Sequence, residues 1–123
     1  MASGMGLFRV RALLTGPSGR SEAVDLLVDT GATLVVVPAA LAERLELVAS
    51  RSQRVVIAGG QRAAWPVAEV RLVLDNQEVT TPCFIAPDGM ALLGAVALES
   101  LFLAVDPIAK RLIPVEGFVG VGA

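Results

Sequence analysis

The sequence predicts a mainly β fold with one or two short helices, and three observations predict it. Short apolar runs alternate with turn residues at close intervals: Gly16-Pro17-Ser18-Gly19, Asp75-Asn76-Gln77 and Pro87-Asp88-Gly89. Only two segments, Ala39 to Leu45 and Ala95 to Leu101, have helical composition. Hydrophobic residues make up 54% of the 123 residues. That is high for a small chain, so either the core is rich in Ala, Val and Leu or apolar surface is reserved for a partner.

Each element follows from local chemistry. Gly6 to Thr15 alternates in part and reads as a strand, Gly16 to Gly19 as a turn, and Glu22 to Val28 as the returning strand of a hairpin that ends at Asp29. Leu34 to Val37 is a short β-branched strand. Pro38 is suited to a first helical turn, and Ala39 to Leu45 continues as helix. Arg54 to Ile57 and Trp65 to Leu74 are strands flanking Ala58-Gly59-Gly60-Gln61, whose Gly-Gly pair suits a hairpin tip. Glu78 to Ala86 is the next strand, Ala91 to Gly94 a short one, and Ala95 to Leu101 a helix. Leu103 to Val105 and Arg111 to Val115 form a last hairpin around Asp106-Pro107. Trp65 reads as a packed strand residue.

Composition narrows the function. The length fits a single domain, residues 1–123, with its core at about 6–115 and a Gly/Val-rich tail at 116–123 that is either frayed or docked. Net charge is −2 and the ten basic residues are scattered, which argues against nucleic-acid binding. The absence of His removes Ser/His and Cys/His nucleophile systems and most zinc sites. The single Cys83 excludes an intrachain disulfide and reads as a small buried hydrophobe. Gly31 to Ala42 and Gly89 to Leu98, the longest charge-free apolar stretches, are too short to span a bilayer. No secretory signal is visible, so a cytoplasmic location is expected.

The chemistry concentrates in Leu26-Leu27-Val28-Asp29-Thr30-Gly31-Ala32-Thr33. An apolar strand runs into an acid, a hydroxyl and a glycine, then resumes as an apolar run through Val37. A carboxylate at the end of a buried strand is costly unless something shares its charge. Gly31 allows a backbone or a ligand to approach closely. The Asp-Thr-Gly motif occurs once, so chemistry that needs two such carboxylates needs a second copy of the chain.

These residues resemble the retropepsin-type aspartic proteases, the single-domain family of retroviral proteases and their cellular and bacterial relatives. The features come in the family's order: the Asp29-Thr30-Gly31 signature, a β-branched strand, a Gly59-Gly60 hairpin where the flap belongs, then Leu92-Leu93-Gly94 before a helix. The match covers about Gly6 to Val115. It implies a closed-barrel-like acid-protease fold with a flap hairpin, and a homodimeric aspartic endopeptidase without metal or cofactor that acts on peptide or protein substrates. Asp29, Thr30 and Gly31 would be the catalytic loop, with Thr30 bonded across the two-fold axis and the tail 116–123 at the dimer interface. Leu27, Ala32, Thr33, Val36, Ile57, Gly59, Gly60, Met90 and Leu92 would contact substrate.

The chemistry such a pair performs is simple. Two carboxylates a few Å apart share one proton; the charged one takes a proton from water and the neutral one protonates the carbonyl oxygen. Some positions depart from the retroviral pattern. Thr33 stands where a second acid is common, and Ala95 where an Arg is common, which implies a dimer braced without that charged network. Leu34 is apolar where many relatives are polar, which would favour apolar substrate side chains nearby. Two other readings compete: a dimeric peptide-binding or regulatory domain with little turnover, and a monomeric non-enzymatic β domain.

Overall fold

The computed structural model describes residues 7–120. Gly6, the expected start of the first strand, and residues 121–123 of the tail lie outside the described residues. The elements are β1 (Arg9–Thr15), β2 (Ser21–Val28), β3 (Val35–Pro38), α1 (Ala39–Arg44), β4 (Arg51–Val56), β5 (Arg62–Leu74), β6 (Gln77–Ala86), β7 (Leu92–Leu93), α2 (Ala95–Ser100), β8 (Leu103–Asp106) and β9 (Arg111–Pro114).

The main sheet has the order β1-β2-β7-β3-β6-β5-β4, and β1 also pairs with β5. Six strands therefore close into a ring, and β4 is left outside it. β5 serves both parts. Its second half, Val67–Leu74, pairs with β6, while Arg62–Val67 leaves the ring and pairs with β4. The result is a two-stranded arm ending at Gly59-Gly60. Closing the ring leaves few free edges, which suits a small β-rich chain.

Period-two alternation fixes which side of each strand faces the core. Leu14, Leu26, Val35, Val37, Val70, Leu72, Cys83 and Leu93 are fully buried. The helices cover this core with Leu41, Ala97 and Leu98, joined by Leu45 and Leu101 just past their C-termini. Burying a leucine contributes about 2 kcal/mol, which explains how the two-residue β7 holds the middle of the sheet. Leu93 is buried, and β7 pairs parallel with β2 on one side and antiparallel with β3 on the other.

Several boundaries differ from expectation: β1 begins only at Arg9 and β7 is confined to Leu92–Leu93. β4 begins at Arg51 and β5 at Arg62, earlier than the apolar pattern indicates, because most of the arm is solvent-exposed and needs no apolar alternation. Pro38 ends β3 with extended backbone (φ −61°, ψ 148°) and caps α1 rather than forming its first turn. Leu34 is 9% exposed, close to the 7% of Val36 two residues on, and neither belongs to the buried core cluster that holds Val35 and Val37. The tail at 116–120 is exposed coil, but its backbone at Gly117 lies against the Phe102 ring, leaving no room for a Cβ there. Among the described residues no helix is long and apolar enough to cross a membrane.

Candidate active site

Asp29 is delivered by the end of β2. Its amide donates to the Leu93 carbonyl (3.0 Å), continuing the β2–β7 pairing, and the Leu27 amide donates to Ala91 (3.0 Å). The chain then turns sharply. The Ala32 amide donates back to the Asp29 carbonyl (3.1 Å), and the Gly31 amide donates to Asp29 Oδ1 (2.9 Å). That second bond fixes the carboxylate's rotation. A Cβ on Gly31 would stand 3.2 Å from the same Oδ1, so a side chain here crowds the carboxylate.

The far side of the loop is tied to α2. The Ala95 amide donates to the Ala32 carbonyl (2.8 Å) and the Val96 amide to the Thr33 carbonyl (2.9 Å). Gly94 is buried beneath this turn. The Asp-Thr-Gly loop is thus held between β7 and the first turn of α2, two segments more than sixty residues downstream. A loop carrying a reactive group is best held by rigid elements, and this one is tied on both sides.

Asp29 and Ala32 are half-buried, whereas Thr30, Gly31 and Thr33 are exposed on the protomer. Among the described residues Asp29 has no ion-pair partner, and its second carboxylate oxygen accepts no hydrogen bond from the protein. Leu27 and Leu92 are half-buried cross-strand partners beside it, and Val36, the antiparallel partner of Leu92, is 7% exposed. Met90 is 46% exposed, at the end of the turn leading into β7.

The remaining expected contacts lie on the arm. Ile57 is half-buried, and Gly59 and Gly60 are exposed. Their φ values are +97° and +88°, and the tip is closed by Gly60 N donating to Ile57 O (2.9 Å) and Ile57 N to Gln61 O (2.7 Å). The Gly-Gly pair therefore forms the hairpin tip that its composition predicts. A concavity lined by Pro17, Val48, Arg51 and Glu69 shares no residue with the Asp29 loop, so it is not the site of this chemistry.

Sequence reasoning did not pick out Phe84. It is half-buried on β6 opposite Val36, and only the parallel β3–β6 register places it there. Cys83 beside it is buried, and burial pushes its thiol up to about 12, which makes it inert as a nucleophile.

Comparison with known proteins agrees with this arrangement. A family profile described as aspartyl protease matches residues 15–97. The fold matches EIAV protease, solved with the inhibitor HBY-793, with a TM-score of 0.63 at 19% identity over 82% of this chain and 93% of that one. It also matches the solution structure of simian foamy virus (mac) protease, with a TM-score of 0.56 at 18% identity over 76% and 94%. A search of proteins with curated descriptions gives no match. The profile spans both the Asp-Thr-Gly loop and the Leu-Leu-Gly segment that holds it: this chain belongs to the aspartyl protease family and has the retroviral-protease fold.

Proposed function

We propose that the chain is a homodimeric endopeptidase in which Asp29 from each of two copies forms the catalytic pair. The observation that carries this is the state of Asp29 in one protomer. Its carboxylate is oriented by the Gly31 amide through one oxygen, and among the described residues the other oxygen, beside exposed Thr30 and Gly31, accepts no hydrogen bond. One carboxylate supplies either a base or an acid, and peptide hydrolysis by water needs both. A second copy on a two-fold axis supplies the partner, and isologous contact is the commonest way two copies meet.

In the assembled pair one proton is shared, since two adjacent carboxylates do not both ionise. The ionised Asp29 draws a proton from a water held between them as that water attacks the scissile carbonyl. The neutral one protonates the carbonyl oxygen. A proton then passes to the leaving nitrogen as the C–N bond breaks. Thr30 would tie the two loops together across the axis. Leu27, Val36, Met90 and Leu92 would give the cleft an apolar floor, with Ala32 and Thr33 at its edge. The arm would close over the bound chain, with Ile57, Gly59 and Gly60 nearest to it, and exclude water. The arm and ring belong to one domain in this reading.

A subunit-mixing experiment tests it. Wild-type and Asp29→Asn chains are mixed at constant total concentration, and turnover of a peptide library is followed. If each active unit needs two Asp29 residues, an equal mixture keeps about a quarter of the activity. If each chain acts alone, it keeps about half. Linear dependence on the wild-type fraction overturns the shared pair. Absence of turnover by pure wild type leaves a peptide-binding domain of the same fold.

A further inference from the structure

The half-buried side of the sheet extends beyond the residues already placed near Asp29. Cross-strand partners share a face. The register gives one continuous row from Leu27 on β2, through Leu92 on β7 and Val36 on β3, to Phe84 on β6. The chain neighbours of these residues, such as Leu26, Leu93 and Cys83, point the other way and are fully buried. Trp65 meets Phe84 at the far end of the row, with ring centroids 6.2 Å apart and planes at 75°.

Trp65 stands where β5 leaves the ring to become the arm, opposite Gln53 of β4. It is two residues from Val67, the β5 partner of Phe84, so it shares that face. Both rings are half-buried, and neither belongs to the hydrophobic core cluster. An edge-to-face pair is worth about 1 kcal/mol beyond its area burial, so the rings hold each other in place. They form a rigid aromatic wall at the root of the arm, facing the same side as Leu27 and Leu92.

We propose that Phe84 and Trp65 form the far wall of the substrate cleft and set the size of the side chain accepted there. This rests on the peptidase reading above. Phe84 is three strand spacings from β2, roughly 14 Å along the sheet. A peptide residue that flanks the scissile bond reaches it, not one that adjoins it. Two rings fill the end of the row, so the flanking position takes a small apolar side chain such as Ala or Val and rejects an aromatic one.

The only tryptophan of the chain is in this wall, so its emission reports binding without turnover. The test uses octapeptides selected from a mixed library by retention on the Asp29→Asn protein, varied only at the flanking residues to Ala, Val or Phe. In the Asp29→Asn protein, binding of the Val peptide shifts the Trp65 emission. In Phe84→Leu and Phe84→Ala enzymes, the ratio of kcat/KM for Phe against Val at one flanking position rises about tenfold or more, as opening an apolar pocket by a few carbons does. Circular dichroism of the Leu variant shows the fold retained.

Turnover with an unchanged flanking preference in both variants overturns the wall, as does cleavage by wild type with no response of Trp65 to bound peptide. An emission response with no turnover by wild type keeps the wall and removes the peptidase reading. Neither response nor turnover removes both.

Discussion

Gly94 lies directly beneath Ala32. A Cβ on Gly94 would stand 2.7 Å from the Ala32 carbonyl oxygen and would also collide with that of Leu34, while the next amide, Ala95, donates to the same Ala32 oxygen at 2.8 Å. The glycine of the second apolar signature is thus what lets α2 grip the Asp29 loop. Gly94→Ala forces backbone apart, because neither obstructing atom belongs to a flexible side chain. The expected cost is about 2 kcal/mol of stability, read by urea denaturation. Turnover falls further than the folded fraction accounts for, because the loop that aims Asp29 is displaced. Wild-type kcat in a folded Gly94→Ala protein contradicts this role.

If Asp29 is one half of the proposed pair, Asp29→Asn removes the catalytic carboxylate and keeps the local geometry. The Asn side-chain oxygen still accepts from the Gly31 amide, the bond that sets the rotation in the native chain. Turnover is expected to fall about a thousandfold or more, within the range of lost general acid–base catalysis, with the far-ultraviolet circular dichroism spectrum unchanged. Thermal stability holds or rises, since like charges no longer meet in the assembled pair. An active Asn variant places the chemistry elsewhere.

How much of this was legible from sequence depends on the range of the interaction. The Asp29 turn, the Gly59-Gly60 tip and both helices are local, and Pro38, the glycines and the apolar runs announce them. The parallel pairings β2–β7 and β3–β6 join segments far apart in the chain, and nothing local marks them. Phe84 shows the consequence: an unmarked strand residue comes to lie beside Val36 once the register is known. The arm exceeded its expected length because Arg51 to Arg54 are exposed and carry no apolar alternation to reveal a strand.

The link between β2 and α1 has a pH signature. Arg44 holds Glu22 in a two-pronged contact, Nε to Oε2 and Nη2 to Oε1, both at 3.0 Å. The hydrogen bond from Arg44 lowers the Glu22 carboxyl below its ordinary 4.5. A lowered carboxyl stabilises the fold above its unfolded value, and that contribution is lost as pH falls through the lower folded value. The melting temperature of Glu22→Gln should therefore lie slightly below wild type at pH 7 and converge with it below the carboxylate range. Both groups face solvent, so the gap is small and shrinks in high salt. A gap that widens on acidification reverses the sign and refutes the assignment.

Cys83 gives a readout of global opening. Burial raises its thiol from 9.0 to about 12. A disulfide-exchange reagent at pH 8 should therefore react with the native protein only at the rate of unfolding, and at once in denaturant. The sign is opposite to that of Glu22. The folded chain keeps a proton that the unfolded chain releases, so this contribution is present below 9.0 and is lost as pH rises towards about 12. Rapid stoichiometric labelling of the native protein contradicts the burial.

The arm tip joins backbone conformation to turnover. Gly59 and Gly60 both have φ near +90°, a region that costs a side-chain-bearing residue about 1–2 kcal/mol. A Cβ on either meets nothing within 4 Å, so the penalty of Gly60→Val is conformational and not steric. The ring that holds most of the core is remote from this tip, so its melting temperature should change little. The tip itself must refold to β-like angles or bear the strain, and either outcome alters how the arm covers a bound chain. Turnover is expected to fall well before stability does, with KM rising because closure contributes to binding. In the free protein, amide exchange at Gly59 and Gly60 should be faster than in Leu72 or Cys83 of the ring, since few apolar contacts hold the tip. Unchanged turnover in Gly60→Val, or tip amides as protected as those of the ring, makes Gly59-Gly60 an ordinary turn and removes the arm from the catalytic cycle.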